Sequence, residues 1–261
     1  MIDTLCSETF KSRFFFAAAV CTACFFHVLA ATSPDGRTAF DFTVADGAPV
    51  AAVRYDGRPV ATVRFGLGLA EPFTDGFENA DVKTRTVESG WKTVRGDRAE
   101  VKDAFAEETV TLREKGPKSR RLVLELRAYD EGFAFRYRLL ADGAWEIRDD
   151  LSSVTFPAGT AAWGIDSTEA TLPEKPFPIR PFPADAKRRT LLMPLTVQVP
   201  GAGCASLLEA YAVSFPRAEL TPFADGVKLA LLGGRPVIVK GPFTTPWRAL
   251  VLGKDAAGLV D

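Results

Sequence analysis

The chain has 261 residues, with 32 Lys and Arg against 33 Asp and Glu, one histidine, four cysteines and a formal net charge of −1. So even a balance gives no reason to expect nucleic acid or an anionic membrane as partner. Apolar residues make up 47% of the sequence, enough for one large core.

Residues 1–30 read as a secretory signal peptide. Lys11 and Arg13 form a short basic region, Phe14 to Ala30 is an apolar run, and Val28-Leu29-Ala30-Ala31 supplies small residues for cleavage. The run is short for a membrane span, and the polar Thr32-Ser33-Pro34-Asp35-Gly36 follows it. An uncleaved anchor helix is the competing reading. Cleavage removes Cys6, Cys21, Cys24 and His27, together with two acidic and two basic residues, so the charge balance is unchanged. The mature chain, residues 31–261, then keeps only Cys204 and has no internal disulfide. Without histidine it builds no Ser-His-Asp triad, Cys-His pair or histidine metal site. Carboxylates are left as metal ligands and acid-base groups.

From Ser33 onward the pattern is strands and turns. Phe40, Phe42 and Val44 alternate with polar residues, and Asp46-Gly47 and Asp56-Gly57 punctuate β-rich runs as hairpin turns. Gly66-Leu67-Gly68-Leu69 reads as a bulge or strand exit, since no helical pattern follows it. Residues 70–90 are polar and read as a long loop or an irregular edge. Strands resume near Trp91, at Glu100 to Phe105 and at Glu108 to Arg113.

Residues 121–140 carry the clearest pattern. Leu122, Leu124 and Leu126 alternate with Arg121, Glu125 and Arg127; past Asp130-Glu131-Gly132, Phe133, Phe135, Tyr137 and Leu139 alternate with Ala134, Arg136 and Arg138. A period of two on both sides of a glycine turn predicts a hairpin with one buried face. Arg127 and Arg136 are expected to pair across strands with Glu125 or Glu131. Prolines 173, 176, 178, 181 and 183 predict a long ordered loop or edge over 166–189. Leu191 to Val199, Leu207 to Ser214 (a strand in preference to a short helix), Val227 to Leu232, Val237 to Val239 and Trp247 to Leu252 complete an all-β chain, best built as a sandwich of two large antiparallel sheets.

Several segments together resemble one family. Ser33-Pro34-Asp35-Gly36, Tyr55-Asp56-Gly57, Phe65-Gly66-Leu67-Gly68, the run Arg127 to Tyr137, Leu208-Glu209-Ala210 and Thr245-Pro246-Trp247-Arg248 are similar, in order, to the amino-terminal domain of glycoside hydrolase family 97. The resemblance implies a β-super-sandwich of the galactose-mutarotase-like type, from a secreted, calcium-dependent α-glucosidase or α-galactosidase of Gram-negative bacteria. It places the chain in the periplasm or at the cell exterior, with α-linked oligosaccharide as ligand. It also implies a catalytic (β/α)8 barrel as partner in cis. The family's catalytic carboxylates lie on that barrel, so no catalytic residue is carried over and the chain alone is expected to be inactive.

What the family's amino-terminal domain does lend is one glutamate to the active-site calcium. Glu209 and Glu169 are the positions that match. One glutamate cannot hold calcium alone, because a hard cation takes six or more oxygens. Each of Trp91, Trp145, Trp163 and Trp247 is either a sugar platform or core and interface; Trp247, just ahead of the expected barrel, is read as interface. An apolar patch is expected around Trp247 and on the Glu209 face, where the barrel would pack. A free-standing secreted sugar-binding module is the alternative; a mutarotase-like epimerase is disfavoured by the missing histidine.

Overall fold

The computed structural model describes residues 29–70, 72–96, 98–167, 177–179 and 190–260. Strands dominate them, and every pairing is antiparallel. The first layer begins with β1 (Leu29–Thr32), β2 (Thr38–Ala45), β3 (Ala48–Tyr55) and β4 (Arg58–Arg64), each paired with the next. A two-residue β5 (Leu67–Gly68) follows. β6 (Phe77–Lys92), β7 (Glu100–Glu114), β8 (Arg121–Tyr129) and β9 (Gly132–Ile147) form a long meander in the second layer.

β10 (Asp149–Asp150) pairs with β5, and β11 (Ser153–Thr155) returns to the first layer beside β4. β12 (Ala161–Asp166) carries the short β13 (Phe177–Ile179) on one side and β14 (Leu191–Val199) on the other. Next come β15 (Gly203–Ala210), β16 (Ala218–Phe223), β17 (Gly226–Leu231), β18 (Val237–Thr244) and β19 (Trp247–Gly253).

β14 is the corner of the fold. Its first residues pair with β16, as Leu191 with Leu220, and its last five pair with β15. The ladder therefore runs β1-β2-β3-β4-β11-β17-β16 through one layer, crosses at β14, and continues β15-β19-β9-β8-β7-β6 through the other. The two expected sheets are thus layers of a single curled ribbon.

The core between the layers is aromatic. Phe40 of β2 meets Phe133 of β9 edge-on at 5.2 Å, and Phe65 meets Phe135 at 5.0 Å. Leu122, Leu124, Leu126 and Ala128 fill the same space from β8. The Asp-Gly turns have left-handed backbone at both positions, with φ of 51° and 78° at Asp46-Gly47 and 48° and 74° at Asp56-Gly57. That is the geometry a two-residue hairpin needs. Gly132 opens β9 so close to β19 that a Cβ would lie 2.1 Å from the Leu250 carbonyl oxygen. Any side chain there would force the two strands apart.

Of the two readings of residues 70–90, the structure bears out the edge and not the loop: most of the stretch is β6, a 16-residue edge strand. It lacks a clean alternation because only Val82 and Val87 are partly covered along its middle, while charged residues occupy both of its faces. Charge is how natural sheets protect a free edge, and it conceals the strand from periodicity.

Candidate functional site

Thr245-Pro246-Trp247-Arg248 enters β19 and sends its side chains to two places. Arg248, opposite Glu209 in the β15–β19 ladder, is only 2% exposed. Its Nε donates to Asp150 Oδ2 at 3.0 Å and its Nη1 donates to Glu209 Oε2 at 3.0 Å. Glu209 Oε2 also accepts the Ala218 N–H at 3.1 Å. Glu209 lines a recess of about 160 Å³ together with Met193, Pro194 and Arg217.

Behind Arg248 runs a buried relay. Gly66 N–H donates to the Tyr137 hydroxyl at 2.9 Å, which stands 2.6 Å from Ser152 Oγ; Ser152 Oγ donates to Asp150 Oδ1 at 2.6 Å. Thr245 clamps the same tyrosine, exchanging backbone and hydroxyl hydrogen bonds with Tyr137 at 2.9 and 3.0 Å. Burial, and then the Asp150 charge, push the Tyr137 phenol above its ordinary range, so it serves as a neutral hydrogen-bonding group. Arg248 thus ties Asp150 to Glu209 through one guanidinium.

Trp247 faces the outer side of the second layer. The guanidinium of Arg127 lies 4.4 Å from its ring centroid and that of Arg136 lies 4.2 Å from it. Arg127 also covers Phe105 at 4.0 Å. Glu107 receives Arg85 Nε at 2.6 Å and Arg127 Nε at 2.7 Å, while Glu125 receives Arg136 Nε at 2.6 Å. Burial pushes the Glu107 carboxyl upward, but the hydrogen bonds from Arg85 and Arg127 outweigh it and hold the group below its ordinary range. The expected Arg136–Glu125 pair is present; Arg127 takes Glu107 instead of Glu125 or Glu131. The Trp247 face is accordingly a lattice of aromatic and charged side chains rather than the apolar patch expected. Past Glu209, in contrast, Tyr211 and Val213 are 78% and 68% exposed.

The other tryptophans differ among themselves. Trp91 is 56% exposed near the tip of the β6–β7 hairpin. Trp145 packs partly against the core, with Nε1 donating to the Ala141 carbonyl at 3.0 Å. Trp163 sits on β12 opposite Thr196 of β14. Glu169 lies outside the described residues. Glu209 is therefore the candidate ligand whose surroundings are visible. Asp150, Ser152 and Tyr137 were not singled out as functional residues; the polar Asp149-Asp150 and Ser152-Ser153 beside the Tyr137 hairpin were the available signal.

The family described as Glycosyl-hydrolase 97 N-terminal matches residues 31–261. The chain belongs to this family of glycoside hydrolase family 97 amino-terminal domains. Among solved structures it is similar to a glycoside hydrolase family 97 enzyme of Pseudoalteromonas sp. strain K8 in complex with acarbose, at a TM-score of 0.78 and 23% identity. That match covers 89% of this chain and 37% of the other. A variant of that enzyme in complex with panose gives the same values. A β-arabinopyranosidase matches at a TM-score of 0.71 and 16% identity, over 87% of this chain and 40% of that one. No curated protein matches the sequence. The family domain thus spans well under half of each of these enzymes, and at such identities the likeness shows the fold.

Proposed function

We propose that this chain is the accessory amino-terminal domain of an exported, calcium-dependent α-glycosidase. In this reading it borders a catalytic barrel, helps shape a pocket for α-linked oligosaccharide, and lends Glu209 as one calcium ligand. It performs no hydrolysis by itself.

The observation that carries the reading is the way Glu209 is held. Arg248 and the Ala218 N–H both engage Oε2, which fixes the carboxylate while Oε1 takes part in neither bond. Its neighbours Tyr211 and Val213 face solvent, as a surface meant for another domain would. The fit to calcium is that of a single ligand. Among the described residues no group of three or more His, Cys, Asp or Glu side chains could hold a metal. In this reading the barrel supplies the remaining oxygens.

The test is a calcium titration followed by thermal unfolding. The chain alone should gain no stability from millimolar calcium and should not turn over nitrophenyl α-glucosides or α-galactosides. Joined to a catalytic barrel of its family it should gain calcium-dependent stability, and Glu209→Gln should remove that gain. Turnover by the chain alone, or an unchanged gain in the variant, refutes the reading. One observation favours the alternative, a free-standing sugar-binding module: the Trp247 face is already covered by Arg127 and Arg136. Saturable, metal-independent binding of maltose or galactose by the chain alone would establish it.

A further inference from the structure

Glu108 stands apart from every pairing described so far. It projects from the inner face of β7, is 2% exposed, and its Oε2 is buried with no hydrogen-bond partner among the described residues. Its ladder neighbours, Thr84 on β6 and Leu126 on β8, are uncharged. Across the core, β1 comes within 8 Å of β7 and β8 between Cα atoms and contributes only Leu, Ala, Ala and Thr. The charge that acts on Glu108 is Asp41 of β2, itself already bonded to both terminal nitrogens of Arg54. A buried carboxylate without a cation is costly, and natural cores rarely keep one without a use.

β1, the strand that approaches β7, holds a second feature. Ala30, the last residue of the signal peptide, pairs with Asp41 in the β1–β2 ladder, and Ala31 packs half-buried against the core. The family match also begins at residue 31. Cleavage after Ala30 hydrolyses one peptide bond and leaves a carboxylate on the departing peptide. It also leaves an α-ammonium on Ala31, in the middle of β1.

We infer that signal-peptide removal manufactures the missing partner of Glu108: the α-ammonium of Ala31 is held in β1 as its counter-ion. The inference rests on the export reading above and adds a role for processing. The precursor carries an uncompensated buried carboxylate and is the less stable form, whereas the mature domain is locked by a charge that exists only after cleavage.

The experiment uses the full chain with its leader, expressed in a Gram-negative host, and the Glu108→Gln variant beside it. Intact mass gives the mature terminus. Competitive acetylation across a pH series, read at residue 31 by mass spectrometry, gives the titration of the α-amine. The expected result is a product starting at Ala31 whose α-amine titrates about one to three pH units above the usual ~7.7–8.0 and returns to that range in Glu108→Gln. A wild-type α-amine titrating in the usual range overturns the pairing, even if the variant fails to accumulate. A product starting elsewhere also overturns it while leaving export intact. Retention of residues 1–30 instead overturns the export reading itself.

Discussion

Asp150 and Arg248, 98 residues apart in sequence, meet through an Nε–Oδ2 hydrogen bond of 3.0 Å in a site closed to water. Glu209 joins the same guanidinium from β15, so one cation ties the neighbouring strands β15 and β19 to the short β10 outside the ribbon. Replacing Arg248 by Met leaves two carboxylates without their counter-ion. A loss of about 3–5 kcal/mol is expected, since that is the usual result of removing one partner from a buried pair. Urea unfolding measures it; a loss below about 1 kcal/mol would mean that water already reaches the pair.

Tyr137→Phe should cost about 1–3 kcal/mol by leaving the Gly66 N–H buried and without its acceptor. The ring volume is conserved, so the loss is polar rather than a cavity effect. Ser152→Ala tests the other side of the relay, because it deprives Asp150 Oδ1 of its 2.6 Å donor.

Glu108 predicts a pH dependence. Burial, with a smaller contribution from Asp41, raises its carboxyl from 4.5 to about 7. A raised acid stabilises the fold below its unfolded value, and that stability is lost as pH climbs through the folded one. In the chain that keeps residues 1–30, stability should therefore fall between about pH 4.5 and 7, by about 3 kcal/mol for a shift of this size. Glu108→Gln should flatten the curve and be the more stable protein at pH 8. Equal slopes for the two proteins in this interval would contradict the assignment.

Trp91 and Trp247 should behave oppositely as fluorophores. Trp91 is exposed, whereas Trp247 is covered on its ring by two guanidiniums. Acrylamide should quench a readily accessible fraction that disappears in Trp91→Phe and survives in Trp247→Phe. The reverse assignment would place the β6–β7 tip, not β19, under cover.

Much of the fold was legible in the sequence because it rests on local chemistry. Phe133, Phe135 and Tyr137 alternate as a core strand must, and Asp46-Gly47 and Asp56-Gly57 adopt the turns their residue types favour. β6 was legible only as a loop or an irregular edge, since the charges that guard it erase the periodicity of two. At the candidate site the order is reversed. Glu209 was singled out through a family resemblance, but its anchoring by Arg248 depends on a ladder register between β15 and β19 that the linear sequence does not display. The Arg127–Glu107 pair is hidden for a similar reason: Glu107 arrives from β7 as the ladder partner of Arg127, whereas Glu125 and Glu131 lie beside Arg127 in the hairpin.

The corner at β14 has a further consequence. Because its first residues pair with β16 and its last with β15, the layers share a strand instead of merely touching. Neither layer can peel away without breaking backbone bonds in the other, so the domain should open as one unit. Amide exchange at Leu195 and Val197 should then occur only through global unfolding, as slowly as in β8 at the centre of the meander.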